Sequence, residues 1–403
     1  MNLYLLDKMT EQELLDQIDR IGADRRSVPY FAAKKETLLF FVKEIDVRAA
    51  NALKQEMLSR GGDVIVHRRT IDCGVPVTDA LLIGTPGQYC RLLEKLESMP
   101  YWGLGEFRLA LSEALFNSRR CSWDIPLPGG RKLTLGGRTK IMGIVNVTGD
   151  SFFEGSRRLE PNEAIRTALA QFEEGADIVD IGGESTRPGA MDLNPREEIE
   201  RIIPVVMGIR RILPGCVLSV DTRKAVVAQA AVEAGADIVN DVSGLRYDPE
   251  MTKTLSRLQV PVILMHSRET PRTMQENPFY GEVVGEVRQE LEKSLKHAVS
   301  EGIREEAVIL DPGLGFAKNP CHNLSLLKHS KAFSTLGRPL LIGHSRKSTI
   351  GHVLSLPSPA DRLEGTLALT ALCAWQGVSL VRVHDVRENF RVIQMIDAVR
   401  GAS

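Results

Sequence analysis

The chain has 403 residues, of which 43% are hydrophobic, 26% charged and 5% aromatic, and its 51 Lys and Arg nearly balance its 52 Asp and Glu. A net charge of −1 gives no basic excess for binding nucleic acid or an anionic membrane surface. No apolar stretch approaches the roughly 20 residues of a membrane helix, and acidic residues stand near the N-terminus, where a signal peptide is basic. We therefore expect a soluble cytoplasmic protein without nucleic-acid or membrane partners.

Several common functional motifs are absent from the sequence. The six cysteines lie at least 17 residues apart, which excludes a CxxC redox pair or a zinc knuckle and suits separate reduced thiols. Neither an HExxH zinc motif nor a GxxxxGK(S/T) phosphate loop occurs. The function must therefore be inferred from polar residues at the ends of predicted strands.

Residues 1–120 have the pattern of a small α/β domain. Apolar runs and alternation predict strands over residues 37–45, 63–69 and 79–85. Helical spacing predicts helices over residues 48–60 and 89–96, with a turn at Pro86-Gly87 before the second. We find no catalytic constellation in this part, and we expect it to have a structural or interaction role.

Two Gly-Gly turns between short strand-like pieces predict a β-hairpin that links two domains at residues 121–139. From residue 140 to 403, eight short apolar strands alternate with longer helical stretches, which is the pattern of a TIM (β/α)8 barrel. An open doubly wound sheet is the alternative. We favour the barrel because polar residues follow nearly every strand. The predicted strands cover residues 141–147, 178–181, 217–220, 238–242, 262–265, 308–310, 340–342 and 380–383.

Polar residues at these strand ends should meet at one mouth of the barrel, because such barrels build their active sites at the carboxyl ends of the strands. Asp221, Asn240 and Asp311 would offer acceptors to a planar heterocycle with several N–H groups. A second group carries or can gain positive charge and suits a diphosphate or another anion: Arg187, Arg346, Lys347, Arg382 and His384. The two groups together predict a site for a polar ring with a phosphorylated arm.

Single polar residues at strand ends also have simpler, structural explanations. A single Asp at a strand end often caps the next helix, and we expect Asp241 to be structural. We expect His266, which follows an apolar strand, to pack or to cap rather than to bind a ligand. Only the joint occurrence of polar residues at all eight strand ends favours a functional site.

Eight pieces of the barrel region form an ordered set: MGIVNVTGDSF (142–152), DIGGESTRPGA (180–190), SVDTRKAVVA (219–228), NDVSG (240–244), TPRTMQ (270–275), DPGLGF (311–316), GHSRKSTIG (343–351) and RVHDV (382–386). Each piece is a weak signal alone. In this order and with barrel spacing, they resemble the dihydropteroate synthases, folate-pathway enzymes of bacteria.

The resemblance implies a reaction and its partners. A (7,8-dihydropterin-6-yl)methyl diphosphate loses diphosphate, and the amine of 4-aminobenzoate attacks the exposed methylene to give 7,8-dihydropteroate. The resemblance also implies a homodimer and Mg²⁺, which Asn146 would contact together with the diphosphate. Thr186 would touch the diphosphate or the pterin arm, beside the cationic Arg187.

The other implied contacts fall into three sets. The pterin contacts carry over to Asp221, Asn240, Asp311 and Lys347. The anion pocket carries over to Arg382 and His384, and the aminobenzoate side to Phe316, Ser345 and Arg346.

Simple chemistry agrees with these roles. Diphosphate leaves readily once Mg²⁺ and cations take up its charge. Asp221 and Asp311 can stabilise the positive charge that spreads into the ring, and Lys347 can donate to a ring acceptor, so these three are the candidate catalytic residues. An aromatic amine is nucleophilic near neutral pH, and we therefore assign no general base.

Two positions depart from the family pattern. Gly149 stands where the first piece usually has proline, so we expect a more mobile loop before substrate binds. Ala317 stands where the family has the second glycine of GFGKT, and alanine takes positive φ less easily than glycine.

Three other functions stay open. A methyltetrahydrofolate corrinoid methyltransferase uses a related pterin-binding barrel, but it would not need the SRKS and RVHDV pieces as an anion site. A non-catalytic protein could bind a pterin and recruit a partner through residues 1–120, although the full set of polar strand ends argues against a decayed site. A fused second activity is the third possibility, but residues 1–120 are short for a kinase and lack a phosphate loop.

Overall fold

The structure, a computed structural model, divides into two compact units, one ending at Phe116 and the other running from Asn117 to Ala402. It describes residues 3–4, 9–147, 161–184, 192–268 and 278–402. Among these residues, no helix combines the length and the apolar character needed to cross a membrane.

In its described part, the first unit holds a three-stranded antiparallel sheet, with strands in the order β1-β3-β2. The strands are β1 (Leu38–Asp46), β2 (Asp63–Val66) and β3 (Val77–Gly84). The helices of this part of the chain are α1 (Glu11–Ile21), α2 (Val28–Ala32), α3 (Val47–Ser59), α4 (Pro86–Leu96) and α5 (Leu104–Ser118). Alternate strand residues face the helices, so that side chains such as Leu53, Leu82 and Tyr89 are fully buried in one core.

The predicted turn at Pro86-Gly87 is wrong, because these residues begin helix α4. The side chain of Thr85 accepts a hydrogen bond from the backbone N–H of Gln88, whose side chain reaches back to the Thr85 N–H. Proline suits the first helical position because its φ is already helical and its missing N–H would have no partner there.

A hairpin precedes the barrel and closes its amino-terminal end. Strands β4 (Ser122–Pro126) and β5 (Lys132–Gly136) pair antiparallel. Apolar hairpin residues including Trp123, Ile125 and Leu135 pack against residues near the starts of the barrel strands. The Trp123 indole N–H also donates to the Gly337 carbonyl over 2.8 Å. The open end of the barrel is therefore the carboxyl end of the strands.

Within the described residues, eight parallel strands form one sheet in the order β11-β10-β9-β8-β7-β6-β13-β12. A parallel bridge between Leu310 and Leu340 joins the two outer strands and closes the barrel. The barrel prediction is confirmed, the open sheet is wrong, and each strand lies within one residue of its predicted bounds. The strands are β6 (Lys140–Asn146), β7 (Ile178–Gly182), β8 (Leu218–Asp221), β9 (Ile238–Asp241), β10 (Val262–Met265), β11 (Val308–Asp311), β12 (Leu341–Ile342) and β13 (Leu380–Val383).

Helices pack around the barrel, and local signals set their ends. In α7 (Pro195–Ile212), for example, the Asn194 side chain accepts the Arg196 N–H at the start, and Ile202 and Ile209 are buried about two turns apart. The helices are α6 (Pro161–Glu173), α7 (Pro195–Ile212), α8 (Ala225–Glu233), α9 (Met251–Leu258), α10 (Val283–Ser300), α11 (Pro320–Lys328), α12 (Ser348–Leu354), α13 (Leu363–Gln376) and α14 (Val386–Arg400).

Candidate active site

The strand register places four polar or small residues side by side at the barrel mouth. Asn146 on β6 pairs with Gly182 on β7, Gly182 pairs with Asp221 on β8, and Asp221 pairs with Asn240 on β9. A Cβ atom at Gly182 would lie 3.5 Å from the Asn146 Oδ1 and 3.7 Å from the Asp221 Cβ. The glycine therefore leaves a gap between the Asn146 and Asp221 side chains.

One arginine bridges two carboxylates just below this row. Arg382 on β13 donates from Nε to the Asp180 Oδ2 over 2.6 Å and from Nη2 to the Asp221 Oδ2 over 2.7 Å. Asn240 donates from Nδ2 to the same Asp180 oxygen over 3.0 Å. The four side chains thus form one hydrogen-bonded network, in which Asp180 is fully buried.

Two carboxylate oxygens of the network have no hydrogen-bond donor among the described residues. Among the described residues, the Oδ1 atoms of Asp180 and Asp221 are buried and accept no hydrogen bond. Burial raises the pKa of Asp221 to about 7; Arg382 opposes this shift, and the charges of Asp180 and Glu198 add to it. A buried carboxylate oxygen without a donor is costly, so these oxygens suit the N–H groups of a ligand.

Asp311 and Lys347 form the second part of the mouth. The Asp311 Oδ1 accepts the Gly313 N–H over 2.7 Å, and burial raises the pKa of this carboxyl against the opposing charge of Lys347. Lys347 donates to the Leu314 carbonyl and lies 5.0 Å from the centre of the Phe316 ring. Burial lowers the pKa of Lys347 to about 8, although Asp311 opposes the shift.

The two parts of the mouth are adjacent. A Cβ atom at Gly343, just after β12, would lie 3.8 Å from the Arg382 Cβ and 3.9 Å from the Lys347 Nζ. Ser345 and His384 lie beyond them, where the Ser345 Oγ is 2.9 Å from the His384 Nδ1 and accepts the His384 backbone N–H over 3.2 Å. Ser345 is buried and His384 is exposed, so this pair lies between the interior and solvent.

The arrangement can bind a flat ring through buried carboxylate and amide groups, with two cations beside it. A family model described as pterin binding enzyme matches residues 142–384, which is more than half of the chain. The chain belongs to the pterin-binding enzyme family.

Within this family, the chain is similar to dihydropteroate synthases. The dihydropteroate synthase of Synechocystis is 43% identical over 275 residues, which cover 68% of this chain and 95% of that protein. A solved dihydropteroate synthase from Xanthomonas albilineans, in complex with 7,8-dihydropteroate, superposes with a TM-score of 0.63 at 38% identity and covers 70% of this chain and 100% of its own.

A longer relative also matches the first unit. A probable bifunctional folylpolyglutamate synthase/dihydropteroate synthase from Halobacterium salinarum is 40% identical over 357 residues, or 88% of this chain. A match of this length exceeds the pterin-binding barrel and must include residues of the first unit. The chain spans only 42% of the length of that relative.

The pterin-binding barrel does not separate the charges as the sequence suggested. We predicted one carboxylate and amide group and one cationic group, but Arg382 lies between Asp180 and Asp221. Arg346 is also occupied, since it forms a two-point ion pair with Asp385 at 2.8 and 2.7 Å. Buried carboxylates need nearby cations, and for this reason the two kinds of charge are interleaved.

Some predicted residues lie outside the part that the structure describes. These are Thr186, Arg187 and Gly149. Ala317 is described, and it takes the left-handed backbone (φ 50°) that suits glycine.

Sequence reasoning missed Asp180, the centre of the buried network. Its signal was a charged residue between Val179 and Ile181 in an otherwise apolar strand, a position where an unpaired charge is almost never found. Two other residues make the structural contacts that we expected of them. The Asp241 carboxylate accepts backbone N–H groups in its own turn, and His266 is buried beside Glu290.

Proposed function

We propose that this chain is a dihydropteroate synthase, which joins (7,8-dihydropterin-6-yl)methyl diphosphate and 4-aminobenzoate into 7,8-dihydropteroate and releases diphosphate. The observation that carries the proposal is the buried network at the barrel mouth, in which the Oδ1 atoms of Asp180 and Asp221 accept no hydrogen bond among the described residues. The similarity to the Synechocystis enzyme, and to the Xanthomonas enzyme that holds the product, supports it.

The pterin ring would lie against the network. Its N–H groups would donate to Asp221 and Asp311, and Asn240 can both donate and accept. Lys347 would donate to a ring acceptor, since its ammonium lies beside Asp311 at the same mouth. Three acidic groups and one amide suit a heterocycle with several N–H donors better than they suit a sugar or a lipid.

Charge at the mouth would favour the reaction step. Loss of diphosphate leaves positive charge on the methylene and in the ring, and the ionised forms of Asp221 and Asp311 stabilise that charge more than they stabilise the neutral ground state. Lys347 and Arg382 would attract the leaving anion.

The residues also fit Mg²⁺ that arrives with the substrate. Among the described residues, no group of three His, Cys, Asp or Glu side chains could hold a metal alone. Mg²⁺ commonly uses one or two protein oxygens together with substrate phosphates and water, and Asn146 offers an exposed amide at the end of β6. Bound there, Mg²⁺ would neutralise charge on the leaving diphosphate.

The aminobenzoate would lie on the Phe316 and Ser345 side. Phe316 is half-buried and presents a ring for stacking, while Ser345 and His384 offer donors for a carboxylate.

We also propose that the chain forms a homodimer and that the first unit has a structural or interaction role.

Omission of single components tests the function. Diphosphate release should require the pterin diphosphate, 4-aminobenzoate and Mg²⁺, and a chelator should abolish it. A corrinoid methyltransferase would instead pass a methyl group from methyltetrahydrofolate to cobalamin. Methyl transfer without diphosphate release would reject the proposal, and so would pterin binding without any turnover.

A further inference from the structure

The segment from Asp311 to Lys318, here called the β11 loop, has a backbone conformation that is unfavourable at one of its residues. Three of its residues, all within the described part, take left-handed backbone: Gly313 (φ 66°), Gly315 (φ 79°) and Ala317 (φ 50°). Alanine is disfavoured in this conformation, so side-chain contacts must hold this shape. The shape matters because the loop carries Asp311 and Phe316.

The buried amine of Lys318 supplies such contacts. Lys318 is only 2% exposed. Its Nζ lies 2.9 Å from the Phe316 carbonyl oxygen, 3.1 Å from the Gly313 carbonyl oxygen and 2.9 Å from the His266 Nδ1. Burial lowers the pKa of Lys318 well below its usual range, and the charge of Asp311 opposes this shift. In its charged form the amine has three hydrogens, so each of these acceptors can then receive one. Two bonds close the loop on itself, and the third ties it to the residue after β10.

His266 is prepared to accept that third bond. Its Nε2 lies 2.8 Å from the Glu290 Oε2, and Arg268 fixes Glu290 through an Nε–Oε1 contact of 2.9 Å. A carboxylate can only accept, so the histidine Nε2 carries the proton and Nδ1 is left as an acceptor for Lys318. Burial lowers the pKa of His266 to about 4, which keeps the ring neutral near pH 7.

The loop and the end of β10 are in direct backbone contact. A Cβ atom at Gly313 would lie 2.0 Å from the His266 carbonyl oxygen, so no side chain fits between them. Without the Lys318 amine, the Phe316 carbonyl and the His266 Nδ1 would lose this donor, whereas the Gly313 carbonyl would keep the Phe316 N–H at 3.1 Å. A buried polar group that is left unpaired is costly. The loop would then have reason to change its shape.

We propose that Lys318 is a positioning residue, which holds the β11 loop so that Asp311 and Phe316 face the substrates while Lys318 itself touches neither substrate. The claim that Asp311 and Phe316 face the substrates rests on the proposed function. The claim that Lys318 orders the loop is independent of that function, and it can be measured on protein without ligand.

Lys318→Met tests the proposal because it removes the amine and keeps most of the side-chain volume. Amide hydrogen exchange of residues 312–319 should become about tenfold faster or more, while strands β8 and β9 are unchanged. The kcat/KM for 4-aminobenzoate should fall about 100-fold through a raised KM, as expected for a misplaced ring contact. Lys140→Met is the matched control, because Lys140 pairs with Asp177 at the closed end of the barrel and should change neither result.

Two histidine variants keep the proposal testable if Lys318→Met does not fold. His266→Asn retains an acceptor near the Nδ1 position and loses the Glu290 contact, whereas His266→Gln retains a donor to Glu290 and loses the acceptor for Lys318. His266→Gln should therefore show the faster exchange and the higher KM, with His266→Asn closer to the wild type.

Unchanged exchange and unchanged KM in folded Lys318→Met would overturn the proposal, and so would a His266→Asn variant that is worse than His266→Gln. If the wild type forms no dihydropteroate, the proposed function fails by itself. The exchange of residues 312–319 then still decides whether Lys318 orders the loop.

Discussion

Single residues at the barrel mouth balance stability against binding. Arg382 shares its guanidinium between Asp180 and Asp221, so one cation serves two buried carboxylates and leaves an excess of negative charge. Such an excess is unfavourable without a ligand and favourable for a substrate that develops positive charge. We therefore expect some variants at this site to lose activity without losing stability.

Asp221→Asn should show this separation. The folded-state pKa of Asp221 is about 7, above the value near 3.9 of an unfolded chain. The stability from this group is therefore full below pH 4 and is lost as pH rises through 7. At pH 8, neutral Asn should give a Tm no lower than the wild type, while turnover falls about 100-fold or more because an ionised acceptor is gone. A clear drop in Tm at pH 8, with no such change at pH 5, would contradict this explanation.

Lys347→Ala should reduce turnover strongly and leave the protein folded. Lys347 lies beside Asp311 and over Phe316, and its loss removes a donor and a charge from the site. A decrease in kcat/KM of about 100-fold is expected for one lost electrostatic contact. Lys140→Ala, at the closed end, serves as the control. Normal turnover in a folded Lys347→Ala protein would remove this residue from the site.

The residues that sequence predicted best are those that directly follow a strand. Asp221 and Asp311 end buried apolar runs, so they could be placed at the mouth without knowledge of the helices. The partners of arginine were harder to predict, since Arg382 meets Asp180 across 202 residues and Arg346 meets Asp385 across 39. Such pairs depend on barrel closure and not on any local pattern.

Among the elements, barrel strands were predicted within one residue, because short runs of buried, mostly apolar positions are followed by polar residues. Helices in the first unit were harder to predict from the sequence. Helices α1 and α5 were not predicted, and the start of α4 was read as a turn because Pro and Gly favour both turns and helix starts. The Thr85–Gln88 capping pair was the signal that would have decided it.

The hairpin should stabilise the barrel without taking part in the chemistry. Trp123 on β4 is buried in the floor of the barrel and donates to Gly337. Trp123→Ala should lower the free energy of unfolding by about 3–5 kcal/mol and leave kcat per folded molecule unchanged, because the site lies at the other end. Denaturant unfolding and active-site titration measure both, with exposed Ser122→Ala as the control. A loss of kcat in the folded fraction would show that floor and mouth are coupled.

For the whole molecule, the first unit should be separable from the chemistry. The first described site residue along the chain is Asn146, and the Synechocystis enzyme matches 68% of this chain with 95% of its own length. A protein of residues 117–403 should therefore keep its KM values within about threefold of the full chain, which is under 1 kcal/mol. The comparison requires a cooperative thermal transition in the truncated protein. Absence of pterin binding in that folded protein would place a binding residue in the first unit.

By the proposed function, the barrel joins the two substrates and does not merely bind or hydrolyse one of them. The most direct measurement is the amount of 7,8-dihydropteroate, identified by mass spectrometry, against the amount of diphosphate released by the full chain in the same reaction. We predict equal amounts, with neither product formed when 4-aminobenzoate is left out. Diphosphate release without dihydropteroate, or no release at all from folded protein with Mg²⁺ present, would contradict the proposed function.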